Sequence, residues 1–206
     1  MNRLGRAILI IIVMAVAAFL AMVRLGGGNA PKGEASPPPV APAPPTPPPA
    51  PSGNVLIVPS GLGMPVAGVL PAQLYDSFGD PRGGGQRGHG ALDIMAPVGT
   101  PVLAAAPGTV EKIFESEPGG HTVYVRSPDR RFVYYYAHLD GYAPGLAEGL
   151  YLERGRQVGT VGATGDANVA APHLHFQIKR MAPGQSWHEG EAINPYPLLA
   201  GNARPG

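Results

Sequence analysis

Hydrophobic and polar positions follow different rules along different parts of this 206-residue chain. Ala7 to Val23 is an unbroken apolar run of 17 residues between Arg6 and Arg24, with no polar face in helical projection. As a helix it would span about 26 Å, the short end of what crosses a bilayer. Arg3 and Arg6 precede it, and the one A-x-A, Ala15-Val16-Ala17, lies inside the run rather than after it. The pattern predicts an uncleaved signal anchor over residues 1–25. From Val55 onward no helical period appears. Short alternating runs are instead separated by Gly and Pro about every ten residues, as in a small antiparallel sheet protein. The predicted strands are Val102–Ala105, Thr109–Phe114, Thr122–Arg126, Phe132–His138, Gln157–Gly162 and His173–Lys179. Pro107-Gly108 and Ser127-Pro128-Asp129 supply turns, the second closing a hairpin. Leu70–Tyr75 is predicted as one helical turn.

Composition separates the two regions. Pro31 to Pro51 holds 11 prolines in 21 residues, which excludes helix and central strand. Residues 26–52 therefore read as a disordered Gly/Pro/Ala-rich linker, whose Pro-rich part would extend roughly 65 Å as polyproline II. Residues 53–206 suffice for one hydrophobic core. The absence of cysteine excludes disulfides, thiolate zinc sites, iron–sulfur clusters and a cysteine nucleophile. After Ser52 there are 11 basic and 13 acidic residues, which argues against a nucleic-acid partner.

Four of the six histidines fall in three short stretches: His89-Gly-Ala-Leu-Asp93, Tyr136-Ala-His138-Leu139 and Pro172-His173-Leu174-His175-Phe176. Residues two apart on a strand share a face. Leu174, Phe176 and Ile178 then face the core, while His173, His175 and Gln177 face away together. The same alternation buries Leu92 and Ile94 and exposes Asp93. Over Val133–Leu139 it is expected to bury Val133, Tyr135, Ala137 and Leu139, with His138 on the opposite side. Each group alone has an ordinary reading as a surface imidazole or a strand-edge carboxylate, but three strands aiming such groups one way points to a mononuclear metal site. Imidazole and carboxylate suit zinc. His89 and Asp93 would lie about 13 Å apart on a straight strand, so sharing a metal requires a bend, which Gly88 and Gly90 permit. His121, His188, Glu153 and Asp166 read as surface or structural residues. The helical zinc motif H-E-x-x-H is absent.

His89-x-x-x-Asp93, Tyr136-x-His138 and Pro172-His-Leu-His175-Phe together resemble the lysostaphin-type, or LytM-domain, zinc metallopeptidases that cleave peptidoglycan peptides. The likeness extends to Asp76-Ser-Phe-Gly-Asp-Pro-Arg82, Ala96-Pro-Val-Gly-Thr-Pro-Val102, Gly108-Thr-Val110, Gly155-x-x-Val-Gly159, Val161-Gly-Ala-Thr-Gly165 and Asn194-Pro-Tyr-Pro197, from about Pro65 to Leu199. It implies a mainly β fold: a single antiparallel domain of barrel-sandwich (duplicated hybrid motif) type over residues 53–206, behind the membrane helix and linker. It also implies one zinc per chain on His89, Asp93 and His175, with His138 and His173 as the catalytic pair. Where the family usually reads H-x-G-x-D, this chain has Ala91, the smallest possible enlargement. The activity implied is zinc endopeptidase action on stem or crosslinking peptides of peptidoglycan. The expected location is the inner membrane, anchored by the N-terminal helix, with the domain in the periplasm or cell-wall space. Two rival functions are a non-catalytic LytM-type activator or scaffold and a cytosolic phosphocarrier of similar architecture. The complete set of five residues counts against the first. The anchor, the linker and the His89/Asp93 pair count against the second.

Overall fold

The computed structural model describes residues 55–82 and 87–201. The predicted anchor at 1–25 and linker at 26–52 lie outside the described residues, among which no helix is long and apolar enough to cross a membrane. Eleven strands follow in order: β1 Pro81–Arg82, β2 Arg87–Gly88, β3 Leu92–Met95, β4 Pro101–Leu103, β5 Gly108–Ser116, β6 Gly120–Arg126, β7 Phe132–Tyr142, β8 Tyr151–Leu152, β9 Gln157–Val161, β10 His173–Arg180 and β11 Glu191–Ile193. Among the described residues one short helix, α1, spans Tyr196–Leu199, and the turn predicted at Leu70–Tyr75 is a 3₁₀ turn over Pro71–Gln73. All six predicted strands are present, with ends shifted by up to four residues. The strands β1, β2, β8 and β11, of two or three residues, are too short to show alternation and carry no strand signal in the sequence.

Nine strands form one antiparallel sheet in the order β11-β10-β7-β6-β5-β8, with β3 also on β10, β9 on the far half of β7, and β4 on β9. β1 and β2 pair separately. Alternation in β10 runs as predicted: Leu174, Phe176 and Ile178 are buried in the core, and His173, His175 and Gln177 lie on the other face, half-buried. Burying three such side chains contributes on the order of 1.5–3 kcal/mol each, which fixes the strand's register against a one-residue slip. Tyr136 is fully buried in the same core, where its hydroxyl accepts from Ala105 N–H at 2.9 Å.

β7 departs from the expected alternation. Tyr134 and Tyr136 face the core with Leu139, whereas Val133 packs on the opposite side with Tyr124, Met181 and Tyr135. Val133 and Ala137 are buried as expected, but on the face opposite the main core, and Tyr135 is only half-buried beside them. The reason is a β-bulge: Val123 pairs with Tyr136 and His121 with Leu139, so β7 uses one residue more than β6. His138 sits in it at φ 59°, a left-handed conformation that is costly for a residue with a side chain. The extra residue shifts the phase of the strand, so that Leu139 returns to the core and His138 still points away from it.

Candidate metal centre

His89 leaves β2 and the chain bends at once through Gly90 and Ala91, so that Asp93 in β3 comes back beside it. The His89 Nε2 atom lies 3.1 Å from Asp93 Oδ1, so the bend that metal sharing requires is present. Ala91 is fully buried at this bend. β3 pairs with β10 in a register that sets Asp93 directly opposite His175. His175 Nδ1 is 3.2 Å from Asp93 Oδ1 and 3.1 Å from His89 Nε2. Three ligand-type atoms from three places in the sequence thus form a nearly equilateral triangle.

Hydrogen bonds fix how each ring faces this triangle. His89 Nδ1–H donates to the Ser77 carbonyl at 2.8 Å, which leaves an Nε2 lone pair toward Asp93. His138 Nδ1–H donates to the Thr164 carbonyl at 2.8 Å, and His173 Nδ1–H to the Ala171 carbonyl at 2.9 Å. These protons are assigned from their carbonyl partners. Three of the four imidazoles therefore present Nε2, and His175 alone presents Nδ1. His173 Nε2 stands 3.7 Å from Asp93 Oδ1, outside the triangle, and the His138 ring centroid lies 5.0 Å from that of His173 and 5.5 Å from that of His175. Sequence spacing left open which member of His-x-His joins Asp93 and His89; the geometry puts His175 nearer.

Two hydrogen bonds tie Asp93 down. Its backbone N–H donates to Ser77 Oγ at 3.0 Å, and Arg82 Nη2 donates to its Oδ2 at 2.6 Å. Its Oδ1 is buried and has no hydrogen-bond partner among the described residues. Burial works against the carboxylate charge, but a proton on the His175 or His89 ring outweighs it and would hold the Asp93 pKa well below the usual range, the place a metal cation takes when these rings are neutral. Burial also pushes the pKa of His138 and His175 down, so both favour the neutral, lone-pair-bearing ring.

Two glycines bring the Gly-rich loop onto this face. Gly120 and Gly165 both have positive φ, at 61° and 74°, and a Cβ on either would strike the backbone of the other's segment. That close approach sets Thr164 beside β7, where its Oγ1 donates to the Leu139 carbonyl at 2.8 Å while its own carbonyl holds His138. The site opens into a cleft of about 590 Å³, walled by the small residues Gly90, Gly119, Ala137 and Ala167 and by Tyr135, Asp166 and Gln177. Asp166, read from sequence as structural, lines this cleft. Arg82, Ser77 and Thr164 carry no functional assignment from the sequence, although all three belong to stretches that carry the family likeness. His121 instead bonds the Leu139 carbonyl from outside the cleft.

Two curated relatives align with this part of the chain. An L-Ala–D-Glu endopeptidase of Bacillus subtilis is 34% identical over 129 residues, 60% of this chain and 38% of the relative. The cell division protein DipM of Caulobacter vibrioides is 39% identical over 149 residues, 72% of this chain and 23% of the relative. The chain thus spans well under half the length of either. Among solved structures, the lysostaphin catalytic domain of Staphylococcus simulans superposes with a TM-score of 0.50 at 31% identity, covering 61% of this chain and 89% of that one. A putative glycyl-glycine endopeptidase LytM of Ruminococcus gnavus gives a TM-score of 0.53 at 34% identity, covering 64% and 55%. The profile of peptidase family M23 matches residues 87–195, from β2 through β11 and every residue of the histidine cluster, and the chain belongs to that family, with a LytM-type domain.

Proposed function

We propose that the protein is a zinc metalloendopeptidase that hydrolyses peptide bonds in the stem or crosslinking peptides of peptidoglycan. The observation that carries this reading is the triangle of His89 Nε2, Asp93 Oδ1 and His175 Nδ1, with edges of 3.1, 3.1 and 3.2 Å. A tetrahedral zinc with ~2.05 Å bonds has ligand–ligand edges of about 3.3 Å, so the three atoms fit one face of such a site. The unpartnered Asp93 Oδ1 supports the same conclusion, because a buried carboxylate oxygen without a hydrogen bond is costly unless a cation satisfies it. Held by these residues, zinc would supply Lewis-acid polarisation of a carbonyl and make water acidic enough to attack near neutral pH.

His138 and His173 do the proton work in this reading. With each Nδ1–H spent on a main-chain carbonyl, the two Nε2 atoms are left to accept or donate a proton in the cleft. The unprotonated member takes the proton of the attacking water, and the protonated member donates to the developing oxyanion. The Thr164 and Ala171 carbonyls stabilise whichever ring becomes cationic. Small residues along the cleft leave room for an extended peptide main chain.

We further propose that residues 1–25 anchor the chain in the inner membrane, that 26–52 are a spacer, and that the domain from 53 onward works on the outer side, where peptidoglycan lies. A role as a non-catalytic activator would not need His138 and His173 aimed into the cleft. Metal analysis tests the reading: the folded, unstripped protein should hold about one zinc per chain, and chelation should stop muropeptide cleavage until zinc is restored. A folded sample without metal would contradict it.

A further inference from the structure

The two oxygens of Asp93 have different neighbours. Oδ1 faces the His89 and His175 nitrogens, while Oδ2 accepts a 2.6 Å hydrogen bond from Arg82 Nη2. Arg82 ends a segment that grips this corner repeatedly. Ser77 accepts from the Asp93 backbone through Oγ and from His89 through its carbonyl, Gly79 N–H donates to the His89 carbonyl, and His89 N–H donates to the Asp80 carbonyl. Pairing of β1 with β2 ties Arg82 to the strand that leads into His89.

We propose that Arg82 is a positioning residue for the metal centre: by holding Oδ2 it locks the Asp93 carboxylate plane and presents Oδ1 alone to the site shared with His89 and His175. The proposal rests on the zinc reading. A carboxylate attached by one rotatable bond can offer either oxygen or both, and a charge-assisted hydrogen bond from a planar guanidinium restrains that rotation. The sign of the effect distinguishes positioning from simple charge. A cation beside the site repels a second cation, so if Arg82 acted only through its field, removing it would tighten zinc binding. If it orients Asp93, removing it weakens binding. Arg82 itself is 40% exposed at the side chain, so its loss leaves no core cavity.

The test is zinc affinity of the full-length chain, measured by competition with a chromophoric chelator. Arg82→Met is expected to weaken zinc by about 10–100-fold, the usual effect of losing a partner that orients a ligand. Arg82→Lys, which keeps a charged donor but not the planar guanidinium, is expected to recover part of the loss. In an Asp93→Asn background, with no carboxylate to orient, Arg82→Met should cost less than about twofold more, as a double-mutant cycle requires of residues acting through one another. Should Arg82→Met fail to fold, Arg82→Gln carries the same expectation. Unchanged or tighter zinc binding in the variant, or an equal loss in both backgrounds, would overturn the proposal while leaving the zinc reading intact. A wild-type chain that takes up no zinc would overturn both.

Discussion

His138 and His173 meet across β7 and β10 with ring centroids 5.0 Å apart, and each uses its Nδ1 proton on a main-chain carbonyl. The pair lies beside the His89–Asp93–His175 triangle without being part of it. That division predicts two classes of variant. His138→Ala and His173→Ala should retain zinc and lose most turnover, since general acid–base help is worth about 10²–10⁴-fold. Parallel metal analysis and muropeptide turnover on each variant check this.

His89→Ala, Asp93→Ala and His175→Ala each remove a corner of the triangle and should purify with little zinc. Their thermal midpoints should no longer respond to added zinc, while the wild type's rises. If His173→Ala loses metal and His175→Ala keeps it, the assignment within His-x-His is reversed.

Gly120 touches the catalytic face indirectly. At φ 61°, with Thr164 where a Cβ would go, Gly120→Ala should destabilise the domain by about 1–3 kcal/mol. Turnover should fall at temperatures where the variant is still folded, because the Thr164 carbonyl that orients His138 is displaced. Denaturant midpoints and turnover together separate the two effects.

The spacer reading of residues 26–52 predicts that two assays diverge. Deleting residues 1–52 should leave turnover on soluble peptidoglycan peptides nearly unchanged. Shortening the roughly 65 Å Pro-rich run to a third, with residues 1–25 kept, should reduce wall cleavage in cells by limiting reach. Equal wall cleavage by both linker lengths at equal protein levels would remove reach as the linker's role.

Local pattern in the sequence carried the site where the chemistry follows strand alternation. His173 and His175 fell on one face because Leu174, Phe176 and Ile178 demanded the other. The bend between His89 and Asp93 was legible as a condition, since glycine allows it but does not compel it. The phase of β7 was not legible, because alternation cannot announce an inserted residue, and the bulge at His138 reversed the expected faces of Val133, Tyr135 and Ala137. Ser77, Arg82 and Thr164 act through hydrogen bonds to residues 11–26 positions away. Such contacts have no periodic signature, so only the fold brings them into view.

Mass spectrometry of purified peptidoglycan digested with the protein tests the central claim most directly. The account predicts new amine and carboxylate termini at one type of peptide bond, abolished by chelation, restored by zinc, and absent with His138→Ala or His173→Ala. Unchanged muropeptides from a folded, zinc-loaded protein would contradict it.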